Sequence, residues 1–344
     1  MSGAVRLGII GAGAIANAYA AAAKHSEGAN LTAIADINLQ AANNCAESAK
    51  AEKFNSHREL LESDLCDAVI VSTPPATHEA IVLDAVARGV PVLCEKPFAV
   101  EGASARRMAK AAREQNVLVA MASKFRYVDD LSSARDMVKD GAIGDLRLIE
   151  NVFTGVVDMR ERWNSQKEIS GGGVLIDNGT HSVDIIRFLA GPIWSVSAIN
   201  GPRIQPIEVE DHVFAFVRTE AGVLANLETS WSIHKDRAHF IELHGESGTI
   251  QLGWKKSRIR RTLTGPWEEF GSGYDKVAAF TGQVNEFVKG VRGNPTATLG
   301  TLADAIASVD AISAGYASIC ESGQWVTVED VAARPRLELL TAVS

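Results

Sequence analysis

Cysteine is scarce in this chain of 344 residues. There are four, Cys45, Cys66, Cys94 and Cys320, and none stands at a spacing that makes a metal or redox motif. Such usage excludes a disulfide scaffold and suits buried thiols in a reducing cytoplasm, where the chain is expected to act. Long apolar runs are missing too. None approaches the length that spans a bilayer, and the opening MSGAVRLGII has neither the basic start nor the apolar core of an export signal, so no membrane partner is expected. Positive charge is in deficit. The net charge of −8 argues against nucleic acid as a partner, since that role needs a basic field. The one basic stretch, WKKSRIRR (254–261), would place several of its charges in solvent by strand alternation. No metal site is expected either: His234, His239 and His244 are five apart, a step that alternates faces along a strand. Internal repeats, low-complexity tracts and long linkers are also lacking.

With 46% hydrophobic and 22% charged residues, what remains is a globular composition, in a chain long enough for two domains. The first 123 residues alternate. VRLGII (5–10), NLTAIAD ending at Asp36, CDAVIVST (66–73), VPVLCEK (90–96) and VLVAMAS read as strands, several of them apolar throughout as in a sheet covered on both faces. GAGAIANAYAAAAKH, LQAANNCAESAK, ATHEAIVLDAVARG and EGASARRMAKAAREQN between them read as helices. This rhythm predicts an α/β domain over 1–123, a Rossmann doubly wound parallel sheet. Over 124–344 it stops. A helix, DDLSSARDMVKDGAIG, and a strand, DLRLIENVFTG, lead to short strands from 193 to 270, and helical stretches return in YDKVAAFTGQVNEFVKGVRG and TLADAIASVDAISAGYASICES. That predicts a second, α+β domain with an open, mostly antiparallel sheet.

Gly11, Gly13 and Ala16 form G-x-G-x-x-A at the first strand-to-helix turn, with Ala14 and Ile15 opening the helix. Glycines there allow a tight turn and let backbone N–H groups approach a pyrophosphate. Asp36, ending the second strand, is placed to accept from the adenosine ribose hydroxyls; capping of the next helix would use the same carboxylate. Ile37 and Asn38 follow, with no arginine for a 2′-phosphate, so NAD is expected, with NADP possible. Ser72, Thr73, Pro74 and His78 lie at the end of the fourth strand, on the ligand-binding edge of such a sheet. They are expected to line the cofactor, the alternative being ordinary helix capping with His78 in the first turn.

Two stretches carry unusual chemistry. VLCEKPFAV (92–100) runs from a buried strand straight into Glu95, Lys96 and Pro97, and charged residues are rarely placed there unless paired or working. SGGGVLIDNGTHSVDIIRFLAGP (170–192) is helix-periodic, and Asp177, His181 and Asp184 share one face at i, i+4 and i+7. A charge stripe usually means a solvated face. Gly179 and the triple glycine weaken this helix, however, and close approach of a ligand would account for them. Trp163 either closes over a ligand or merely packs.

Together, G-x-G-x-x-A, Glu95-Lys96-Pro97 and D-x-G-x-H after a glycine run resemble the glucose–fructose oxidoreductase / inositol dehydrogenase / rhizopine catabolism (Gfo/Idh/MocA) family, over nearly the whole chain. The resemblance implies NAD(P)-dependent oxidation or reduction of a sugar, cyclitol or related polyol, and a homodimer or homotetramer built through the second sheet. It makes Lys96 the catalytic lysine, ahead of a cis peptide bond to Pro97, and Asp177 and His181 the acid–histidine pair. Oxidising a secondary alcohol needs a hydride acceptor and a base. On this reading His181 is the base, Asp177 holds a neighbouring hydroxyl, Asp184 orients the imidazole, and Lys96 donates to the reacting oxygen. Glu95 either pairs with Lys96 or touches the nicotinamide ribose. Arg126, in a segment that departs from the family pattern alongside Lys124, joins Trp163 and Tyr274 as a weak substrate contact. A free sugar, an inositol and a nucleotide sugar all stay open. Also open are an NAD-retaining, isomerase- or glycosidase-like cycle and a non-enzymatic ligand sensor; sensors of this family usually lack the lysine or the histidine, both present here.

Overall fold

Strand β1 (Val5–Ile10) is buried along almost its whole length and sits at the middle of a six-stranded sheet. In a computed structural model, which describes residues 3–329, α1 (Ala14–His25), β2 (Ala29–Ala35), α2 (Leu39–Ala49), β3 (Glu52–Phe54), α3 (His57–Glu62), β4 (Ala68–Val71), α4 (His78–Ala87), β5 (Val92–Cys94), α5 (Gly102–Glu114) and β6 (Val119–Met121) follow it. The sheet is parallel throughout in the order β3-β2-β1-β4-β5-β6, which is the doubly wound topology expected. Strand β3 and helix α3 are additions. EKF is a three-residue polar strand at the sheet edge, too short to show a period.

The second unit begins with α6 (Asp129–Lys139), β7 (Leu146–Thr154), α7 (Lys167–Ser170) and α8 (Val174–Ala190). Strands β8 (Ile193–Asn200), β9 (His212–Thr219), β10 (Leu224–Ser230), β11 (His239–Gly245), β12 (Thr249–Gly253), β13 (Ser257–Arg260) and β14 (Glu268–Phe270) join β7 and a two-residue β15 (Val326–Thr327) in one sheet, ordered β14-β13-β12-β11-β7-β10-β9-β8-β15. Every pairing is antiparallel except β7 with β10 at the centre. Strand β9 alternates buried and exposed residues over its length, which leaves one face of that part of the sheet open.

Two long helices complete the described chain, α9 (Lys276–Val291) and α10 (Leu302–Cys320). They depart from the division at residue 123. The first unit holds Lys276–Ile306 besides the residues up to Tyr127, and the second holds Val128–Asp275 and the chain from Ala307 on. The reason is apolar packing: Phe280, Val284, Phe287 and Val288 of α9 belong to the same buried core as Ile9, Tyr19 and Ala23. Residues 330–344 of the expected second domain lie outside the described residues. Among the described residues, no helix is long and apolar enough to cross a membrane.

Candidate active site

The glycine turn is built by two different constraints. Gly11 has φ +97°, and a Cβ there would lie 2.8 Å from the backbone of Ser72 and Thr73, so chain crossing alone demands glycine. A Cβ on Gly13 would meet nothing within 4 Å. Gly13 starts α1, whose first turn has no side-chain cap and no acidic residue, leaving its N–H groups and positive end for an anion. Ala14 is exposed beside it, Ile15 half-buried and Ala16 fully buried against the sheet.

Asp36 is drawn into this turn. One carboxylate oxygen accepts from the Ala12 N–H at 2.6 Å and the other from the Asn38 N–H at 2.7 Å. Capping of α2 falls instead to Asn38, whose side chain accepts from Gln40 and Ala41. Ile37 is 95% exposed, so nothing packs where a 2′-phosphate reader would stand. Ser72 donates to the Gly11 carbonyl at 2.9 Å, Thr73 hydrogen-bonds the Thr77 hydroxyl at 2.8 Å, and Pro74 holds extended backbone. An open glycine, an uncapped helix start and a carboxylate at the β2 exit fit an NAD dinucleotide.

His78 does not line this edge. It has no exposed surface, and its ring nitrogens face the carbonyls of Thr73 at 2.8 Å, Pro97 at 3.1 Å and Phe98 at 3.3 Å. Burial lowers its pKa, against the pull of those carbonyls. It is a strut between the β4 exit and the β5 exit, not a cofactor contact.

At the β5 exit the Lys96–Pro97 peptide bond is cis. Glu95 turns its carboxylate inward: Oε1 accepts from the Tyr19 hydroxyl at 2.6 Å, and Oε2 accepts from the Lys96 N–H at 3.0 Å. Burial raises its pKa, while Lys96, the Tyr19 hydroxyl and Lys124 pull it down.

In the second unit, α8 carries Asp177 and His181 half-buried and Asp184 buried. Its N-terminus has no cap of its own; Glu210 supplies one from 37 residues away. The carboxylate accepts from the Gly173 N–H at 3.0 and 3.1 Å, the Leu175 N–H at 3.1 Å and the Tyr316 hydroxyl at 2.8 Å. This corrects the reading of the glycines. A Cβ on Gly172 would lie 2.0 Å from the Tyr316 hydroxyl, and one on Gly173 would lie 1.9 Å from the Glu210 carbonyl oxygen. A Cβ on Gly179 would crowd Leu175 and Ile312. Protein, not ligand, makes the close approach.

Beside His181 runs a chain of aromatic rings that periodicity did not reveal. Phe153 meets the imidazole edge-on at 6.4 Å and stacks on Phe240 at 6.0 Å; Trp254 lies 4.6 Å from Phe240, and Tyr274 meets Trp254 edge-on at 5.8 Å. Tyr274 is the far ring of this chain, in contact with Trp254. Trp163 stands 39% exposed in a short 3-10 turn. Arg126 does not offer itself to a substrate: it is 3% exposed and donates to Asp304 at 3.2 Å within the first unit. Burial would raise the Asp304 carboxyl, but Arg126 and the Thr301 donors outweigh it and bring it down to about 2. On β7 and β11, ligand atoms of Glu150, Glu242 and His244 lie within 4.8 Å of one another, but each is hydrogen-bonded, to His244 and Asn226, to Gln251, and to Glu150 respectively.

Residues 5–123 match the family model described as "Oxidoreductase family, NAD-binding Rossmann fold", and 131–251 match the GFO/IDH/MocA C-terminal domain. The rhizopine catabolism protein MocA of Rhizobium meliloti is 33% identical over 54% of this chain and 57% of its own length. The 1,5-anhydro-D-fructose reductase of Ensifer adhaerens is 28% identical over 92% and 99%. Among solved structures, GenD2 from gentamicin A biosynthesis, in complex with NAD, superposes with a TM-score of 0.83 at 25% identity, over 95% of this chain and 97% of that one. With both halves matched, each over the unit whose sheet it describes, the chain belongs to the GFO/IDH/MocA family of NAD-binding oxidoreductases.

Proposed function

We propose that this chain transfers a hydride between a secondary alcohol of a sugar, cyclitol or related polyol and NAD. The observation that carries the reading is that a lysine at the β5 exit and an aspartate–histidine pair on α8 coexist with an NAD-binding Rossmann unit, each on a built support. NAD supplies the hydride acceptor. Lys96 donates a hydrogen bond to the reacting oxygen and stabilises it as charge develops. His181 takes the hydroxyl proton, and Asp177 holds a neighbouring hydroxyl. Asp184 orients the imidazole. Rhizopine catabolism, anhydrofructose reduction and gentamicin A biosynthesis, the processes named for the relatives, support a carbohydrate-like substrate.

The test is a screen of polyols, aldoses and nucleotide sugars with NAD, read by reduced-nicotinamide absorbance. Lys96→Met and His181→Ala should each lower kcat by about 10²–10⁴-fold while NAD affinity stays within twofold. Full activity in either variant would refute the assignment of that residue. Tight NAD retention with no net reduction would turn the reading to an internal oxidation–reduction cycle. We place the activity in a reducing cytoplasm, supported by four free thiols. Assembly through the second sheet is supported by Ile199, Phe214, Phe216 and Leu224, all exposed on its strands; a monomer by light scattering would reject it.

A further inference from the structure

We infer that Tyr19 and Gln283 are positioning residues of the proposed reaction, acting by fixing the Glu95 carboxylate, which in turn fixes Lys96. This rests on the reading of Lys96 as the group that polarises the alcohol. The contributing elements are α1, the β5 exit and α9, all in the first unit.

The hydrogen bonds run with one polarity. A carboxylate only accepts, so the single Tyr19 proton goes to Glu95 at 2.6 Å. The phenol oxygen must then accept, and Gln283 donates to it at 2.8 Å. Both residues are fully buried, and the Tyr19 ring is set edge-on to Phe280 at 4.9 Å, which leaves the hydroxyl little freedom. The other Glu95 oxygen accepts from the Lys96 N–H, the peptide from which the lysine side chain departs. A hydroxyl buried in an alanine-rich helix face has no packing purpose that phenylalanine would not serve. Its place is explained by the carboxylate it meets.

The groups facing Glu95 are the Lys96 and Lys124 ammoniums, the Tyr19 hydroxyl and the neighbouring Cys94 thiol. Burial favours the protonated acid and raises its pKa, while the two ammoniums and the phenol oppose that rise. Without the phenol the carboxyl takes its proton at higher pH, and the anion beside Lys96 is lost sooner as pH falls.

Tyr19→Phe tests this, because it removes one oxygen and keeps the ring. With the alcohol identified by the screen, kcat at neutral pH should fall about tenfold, the lower end for outer partners of a working group. The part of the acid limb of the kcat profile that Glu95 sets should move to higher pH. NAD affinity should stay within twofold. Gln283→Met should move the limb the same way by less, and Glu95→Gln should remove the part of the limb that Glu95 sets, leaving the part set by the His181 base. Carbon-13 NMR of labelled glutamate in the NAD-bound chain reads the same titration without turnover, the Glu95 signal being the one missing in Glu95→Gln. A Tyr19→Phe variant with the wild-type limb and an unmoved Glu95 titration overturns the inference, as does loss of rate only in step with thermal stability. Lys96→Met with wild-type kcat would instead refute the underlying reading, whatever Tyr19→Phe does.

Discussion

Removing the Glu210 carboxylate should loosen the start of the helix that carries Asp177 and His181. In Glu210→Ala three donors lose their acceptor: the Gly173 N–H, the Leu175 N–H and the Tyr316 hydroxyl. Glu210 is 6% exposed and Tyr316 1%, so water does not readily replace it. An unpaired buried donor costs about 1–3 kcal/mol. Taking the low end for each, and adding about 1 kcal/mol for a carboxylate lost from a helix N-terminus, the expected destabilisation is about 4 kcal/mol. Glu210→Gln keeps one oxygen but turns an NH2 toward the Gly173 N–H and should cost about 1–2 kcal/mol; Tyr316→Phe should cost about 1 kcal/mol. The assay is equilibrium urea unfolding of the full chain, with Glu210→Gln and Tyr316→Phe closed into a double-mutant cycle. Burial raises the Glu210 carboxyl above its ordinary 4.5, opposed by Tyr316 and the backbone donors. A raised folded value contributes stability that is present below the unfolded value and lost as pH climbs through the folded one. Wild-type stability should therefore decline with rising pH above about 4.5 through this group, and Glu210→Gln should lack that slope. A Glu210→Ala loss under about 1 kcal/mol would refute the reasoning.

Replacing Asp36 by Ser with Arg at the fully solvated Ile37 should shift cofactor preference toward NADP by about 10–100-fold, the worth of one charge-assisted hydrogen bond; an unchanged NAD/NADP ratio of kcat/KM would reject Asp36 as the ribose reader. Asp304→Asn should cost about 2 kcal/mol at neutral pH, since Arg126 and the Thr301 donors together, against burial, bring the carboxyl from 3.8 to about 2. A lowered folded value gives stability that is present above the unfolded value and lost as pH falls through the folded one. The gap between wild type and Asp304→Asn should thus close between about pH 4 and pH 2, and a gap independent of pH would contradict the pairing.

Local pattern carried much of this molecule. Apolar runs broken by helical stretches were enough for the parallel sheet, and a strand followed by G-x-G was enough for the first turn, because those signals lie within a few residues of one another. The shared face of Asp177, His181 and Asp184 follows from helix geometry alone. Why the glycines precede that helix does not: Glu210 and Tyr316 reach Gly172 and Gly173 from other elements, and a sequence without its folding shows only an unexplained weakness. Arg126 looked available for a substrate because its partner Asp304 lies 178 residues away.

What the sequence determined by itself, then, is most of the strands and helices, where the G-x-G turn lies and which side chains to propose for the chemistry. Tertiary structure decided what each of those side chains is bound to. Glu95 meets Tyr19, 76 residues before it, and Tyr19 in turn meets Gln283, 264 residues from Tyr19, on a helix that the sequence pattern assigned to the other half of the chain. The reason is physical: a buried carboxylate needs donors, any element that packs against it can supply them, and no periodicity along the chain records which one does.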